Sequence, residues 1–232
     1  METSSNESKE DEVKYSVDAE RIPLKPRNLI NLFIRPRKFF SSQLALGKTP
    51  YLLFVALCFG IANVIDRIDK NLIKSEYGST ISGSTEIYVG IAQSWIVFWI
   101  AVIIMGAISG FFIWLIGGWW YKIRLIWSGA IDPDKEQARY VYIYSSFVFA
   151  GPKFLKTLIY TLLYPSYIAA FRGDEIYSFI IVILVFYSIY VSFLGATTVF
   201  ELVKWKSRLW FIILPITFYL LIFGLIGFLF AT

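Results

Sequence analysis

The chain is a series of long apolar blocks separated by short polar breaks. Five blocks stand out: Pro50–Ile65, Ile87–Gly117, a stretch within Tyr140–Phe171, Ile176–Phe200 and Leu209–Ala231. A hydrocarbon core about 30 Å thick takes roughly 20 helical residues to cross. The first block is short and ends in "NVIDRIDKN". The second would measure about 46 Å as one straight helix, so it must tilt or project. In lipid each segment has to satisfy its own backbone hydrogen bonds, and the alternation of a membrane barrel is missing. The pattern therefore predicts an all-α, polytopic integral membrane protein with five transmembrane helices spread over residues 49–232.

Two polar stretches precede the blocks. Residues 1–24 are acidic with little to bury, which predicts a disordered tail and no secretory signal. Residues 25–48 contain "RNLINLFIRPRKFFSSQLAL", bulky apolar residues mixed with cations, with Pro36 breaking or starting a helix. This reads as an interfacial amphipathic segment. Leu29, Leu32, Phe33, Phe39, Phe40 and Leu44 would lie in the acyl boundary, with Arg35, Arg37 and Lys38 at anionic headgroups. The competing arrangement packs that apolar face on the protein's own helices.

Composition agrees with the pattern: 57% of residues are hydrophobic and 17% charged. Histidine is absent and Cys58 is the single cysteine. Ser-His chemistry, an internal disulfide and Cys-based metal clusters are thereby excluded. The blocks show no paired carboxylates and no Gly-rich phosphate loop, so neither enzymatic activity nor a cofactor or metal is expected. Nothing points to nucleic acid. "DPDKEQARY" at Asp132–Tyr140 reads as a turn followed by a helix start, and its acids lack the spacing of a cation-binding loop.

Charge sets the expected orientation. With the N-terminus inside, the inner flanks carry Lys25, Arg27, Arg35, Arg37, Lys38, Lys48, Lys122, Arg124, Lys135, Arg139, Lys204, Lys206 and Arg208. The outer loops carry only Arg67, Lys70, Lys74 and Arg172. Thirteen cations against four predict N-in, C-out. Trp119, Trp120, Trp127, Trp205 and Trp210 gather at the same inner edge, where indole rings favour the interface.

The third block poses the sharpest chemical question. Lys153 and Lys156 follow Gly151-Pro152 inside apolar sequence, where a charge costs a few kcal/mol or more. Two arrangements are open. Either the lysines are buried and present charge to an anion, or Pro152 opens the true span at Phe154 and both snorkel to inner phosphates. Asp66 is the candidate charge partner, reaching Lys156 if the first and third spans run outward together. Pro152 is expected to kink the helix, with Ser145 or Ser146 covering the freed carbonyl. Gly106 and Gly110 form a GxxxG, and Ala56 and Gly60 a second small-residue pair. Each suits close helix packing, inside the bundle or between copies.

The "RPRKFF" segment, the five spans, the short inner loop and the proline in the third span resemble the Yip family of membrane proteins (Ypt/Rab-interacting proteins and their prokaryotic relatives). The resemblance covers roughly residues 27–231. Eukaryotic members carry Asp-Leu-Tyr-Gly-Pro before the first span. Its absence here points to the prokaryotic branch and away from a Rab-type GTPase partner. The resemblance implies an integral membrane protein, with some members linked to transporter or membrane-stress functions. A bacterial plasma membrane is the expected location, with the early secretory pathway as the eukaryotic alternative.

Two functions are therefore expected in order. The first is a non-catalytic protein that organises anionic lipids or partner membrane proteins, with a homo-oligomer open. The second is a small anion or lipid transporter, or a transporter's accessory subunit, using Lys153 and Lys156.

Overall fold

The computed structural model describes residues 26–42, 50–77, 83–173 and 176–221. The acidic tail, Leu44 and the last residues of the fifth block lie outside them. Every regular element among the described residues is helical. They are α1 (Pro26–Ile34), α2 (Pro36–Ser42), α3 (Pro50–Tyr77), α4 (Gly83–Ala92), α5 (Trp95–Phe112), α6 (Gly118–Trp127), α7 (Lys135–Leu163), α8 (Tyr167–Arg172), α9 (Ile176–Val199) and α10 (Lys204–Arg208). A π-helical turn, Ile113–Gly117, joins α5 to α6 without a break. A second, Leu209–Ile213, follows α10 and leads into helix 214–221.

Among the described residues, three helices are long and apolar enough to cross a membrane: Tyr51–Glu76, Trp95–Trp127 and Ile180–Val199. The middle one, at 33 residues, would measure about 50 Å. Its outward residues, among them Ile96, Ile100, Ile104, Ile108, Phe111 and Leu115, are as apolar as its buried ones. An apolar outer surface of that extent is compatible with a hydrocarbon surrounding. α7 has the length at 29 residues, but Arg139, Lys153 and Lys156 lower its hydropathy.

Three boundaries differ from expectation. The first block does not end at Ile65, because α3 runs on through "DRIDKNLIKSEY" to Tyr77. Charges do not stop a helix that can pair them, and Asp66 meets Lys70 one turn later at 2.7 Å. The second block is broken at Ser94, whose extended backbone (φ −131°, ψ 128°) separates α4 from α5. The third block starts earlier, at Lys135, where the Asp134 side chain accepts from the Gln137 N–H at 2.7 Å and caps α7. α7 then continues through Pro152 to Leu163, so the proline opens no new helix.

The long helices alternate in direction. Rising residue numbers on α3 meet rising numbers on α7, from Phe59–Tyr142 to Asp66–Lys153. Against α5 they meet falling numbers. A Cβ on Gly60 would strike the Gly106 carbonyl and the Gly110 backbone, and one on Gly110 would lie 2.8 Å from the Ala56 carbonyl. The two small-residue motifs are thus halves of one antiparallel crossing inside the bundle.

The amphipathic segment corrects its expected placement. Leu32, Phe39 and Phe40 are buried in the protein core rather than in lipid. Phe39 packs on Tyr140 and Tyr144 of α7, and Phe40 lies against Gly195 of α9, where an added Cβ would sit 2.8 Å from its ring. Tyr187 donates to the Phe33 carbonyl at 2.6 Å, which ties α1 to α9. Aromatic burial and that bond fix the pair of short helices to the bundle.

Candidate functional site

Two charged regions emerge, one buried between helices and one at the basic end. The buried region forms because "DRID" continues α3 as a helix. Positions three apart share a face, so Asp66 and Asp69 both turn toward α7. Lys153 meets them from the other side. Its ammonium is 3.2 Å from Asp69 Oδ2 and 3.4 Å from Asp66 Oδ1, with the residue only 6% exposed. Tyr167, from α8, donates its hydroxyl to Asp69 Oδ1. Lys70 holds the other oxygen of Asp66. Two carboxylates therefore face two ammonium groups, and the cluster is formally neutral.

That neutrality changes the reading of the third block. Lys153 is buried, as one of the two arrangements required, but carboxylates occupy it. Asp66 is a charge partner as expected, though to Lys153 rather than Lys156. Lys156 is half-buried, with its ammonium 5.2 Å from the Tyr160 ring centroid. Ser145 does not cover the carbonyl freed by Pro152; its hydroxyl donates to the Tyr142 carbonyl at 2.9 Å. Around the cluster, Trp95 donates to the Tyr164 carbonyl and Trp99 to Thr161 Oγ1, at 2.8 and 3.0 Å. These bonds clamp α5 to the far end of α7.

At the opposite, basic end, α1 and α2 hold Arg35, Arg37 and Lys38 on the surface. Two further arginines there, counted from the sequence as inner-flank cations, lie on α6 and α7. Arg139 is 3% exposed, pairs with Glu136 at 2.6 Å and sits 3.8 Å over the Trp114 ring centroid. Its Nε donates to the Trp114 carbonyl at 2.9 Å. Arg124 donates to the Trp210 carbonyl at 2.7 Å and lies 4.3 Å over the Phe211 ring. Trp114 and Trp210 both belong to π-helical turns, where the wider turn shifts the backbone bonding pattern. Each turn thus has one carbonyl held by an arginine from a neighbouring helix.

Lys153 lines neither of two cavities found among the described residues. One, of about 480 Å³, is an apolar groove beside the glycine crossing, between Leu53, Ala56 and Leu57 of α3 and Ala107, Gly110 and Phe111 of α5. The other, of about 540 Å³, lies between the Gly129–Asp134 turn and Val199–Val203. Among the described residues no group of acids, cysteines or histidines is arranged to hold a metal ion. Comparison with known protein families, curated proteins and solved structures finds no match to this chain.

Asp69, Tyr167 and the arginine–tryptophan pairs are the residues that sequence reasoning missed. A signal for Asp69 was present: the spacing Asp66-x-x-Asp69 puts both acids on one face if the helix continues. Ending the span at Ile65 hid it.

Proposed function

We propose that this chain is a non-catalytic integral membrane protein that organises anionic lipid, and through it partner membrane proteins, at its inner face. In this reading it crosses the bilayer five times, N-in and C-out, as a Yip-like protein of a bacterial plasma membrane. The carrying observation is the pairing of buried Phe39 and Phe40 with exposed Arg35, Arg37 and Lys38 on two adjoining short helices. The aromatic anchors leave the neighbouring cations exposed on the surface. Cations on anchored helices lose less conformational entropy on meeting phosphates than those on a flexible tail would. Each cation near an anionic surface contributes about 1 kcal/mol.

An anion path through Lys153 is disfavoured, because two carboxylates already neutralise that ammonium. The buried cluster acts instead as a staple that fixes α3, α7 and α8 against one another. Such a cluster contributes specificity of packing more than net stability.

The test is lipid retention. Full-length protein and the variant R35Q/R37Q/K38Q are purified in the same detergent, and bound lipid is identified by mass spectrometry. The wild type should retain anionic over zwitterionic lipid, and the variant should lose that preference. Equal retention by both proteins would sink the proposal.

A further inference from the structure

Among the described residues, the two buried cations both have counter-ions: Arg139 has Glu136, and Lys153 has Asp66 and Asp69. Arg124 differs from both. It lies within the apolar helix Trp95–Trp127, only partly exposed, and among the described residues no carboxylate stands within salt-bridge distance of it. Its one hydrogen bond there goes to the Trp210 carbonyl, and its plane rests on the Phe211 ring. A carbonyl and a ring orient a guanidinium but do not cancel its charge. The remaining N–H groups keep their fork geometry, which matches a phosphate.

We infer that Arg124 binds the phosphate of an anionic lipid headgroup at the inner edge of the bundle. The surroundings support a lipid over a dissolved anion. Trp127 and Trp210 lie 4.4 Å apart beside it, and Trp120 is 5.6 Å from Trp127. Tryptophans of this kind occupy the headgroup level of a bilayer. Exposed Lys204, Lys206 and Arg208 precede Trp210 on α10 and add positive charge at the same end. A lipid phosphate held there would bridge α6 and the turn after α10. This inference rests on the lipid-organising reading, but uses a different site from Arg35, Arg37 and Lys38.

The experiment is native mass spectrometry of the full-length protein in detergent with added phosphatidylglycerol or phosphatidylcholine. Wild type, Arg124→Gln and R35Q/R37Q/K38Q are compared. Arg124→Gln should bind phosphatidylglycerol about tenfold more weakly, the loss expected for one charge-assisted contact. The triple variant should keep this tight site, so failure of one site is distinguishable from failure of the other. If Arg124→Gln does not fold, Arg124→Lys is used, which keeps the charge and removes the fork. A loss of about threefold or more is expected there, and unchanged affinity would overturn the inference. Equal affinity for both lipids in the wild type would also overturn it. A last arm adds inorganic phosphate alone and follows the melting temperature. A stabilisation matching that of the lipid would assign the site to a free anion instead.

Discussion

Lys153 and Asp69 meet at 3.2 Å across the contact between α3 and α7, with Lys153 almost wholly buried. Asp66 shares the same ammonium at 3.4 Å, and Tyr167 donates to Asp69 from α8. Three helices converge on this cluster. Removing the ammonium leaves two carboxylates facing each other, and breaking a buried pair costs about 3–5 kcal/mol. Asp66 is half-exposed and shared with Lys70, so the lower end of that range applies. Lys153→Met should therefore lower the melting temperature of the purified protein sharply. An unchanged melting temperature would contradict the assignment.

The acids should differ as well. Asp69 is the less exposed of the two, at 23% against 49% for Asp66, and it accepts from Tyr167. Asp69→Asn is expected to destabilise more than Asp66→Asn. A double-mutant cycle of Lys153→Met with Asp69→Asn should give a coupling of about 1 kcal/mol or more, as residues in one network do. Additivity within about 0.5 kcal/mol would mean that the two do not interact.

How far the sequence reached can be judged from these residues. Apolar runs located the long helices, because hydrocarbon selects for nothing but length and hydropathy. Helix ends were less legible. Pairing between Asp66 and Lys70 lets α3 continue where charge seemed to end it, and that continuation is what brings Asp69 to Lys153. The amphipathic pattern of residues 27–42 was visible, but amphipathicity names an apolar face without naming what covers it. Tyr140, Tyr144 and Gly195, distant in sequence, cover Phe39 and Phe40. The arginines that hold carbonyls of the π-helical turns left no trace, since a wider turn has no residue signature.

The glycine crossing makes a prediction of opposite signs. Gly60→Ala should be strongly destabilising, because its Cβ would collide with the backbone at Gly106 and Gly110. Gly90→Ala, on α4, meets nothing within 4 Å and should be neutral or stabilising by up to about 1 kcal/mol, the helix-propensity gain. Thermal melts of the two variants side by side check this. A tolerated Gly60→Ala would show that α3 and α5 are not in contact there.

Orientation is checked by cysteine labelling in a Cys58→Ala background. Single cysteines at Arg35 and at Lys122 should react with an impermeant reagent only from the inner side. A cysteine within residues 77–84 should react only from the outer side. Labelling of 77–84 from the inside would refute the N-in arrangement.

The central claim, that fixed cations at the basic end hold anionic lipid, is tested most directly by melting the full-length protein in nanodiscs of two compositions. In discs containing phosphatidylglycerol the midpoint should lie above that in pure phosphatidylcholine. Arg35, Arg37 and Lys38 together contribute about 3 kcal/mol at low salt. The difference should shrink as salt rises and fall markedly in R35Q/R37Q/K38Q. The same midpoint in both compositions, or a difference that salt and the triple variant leave untouched, would contradict the account.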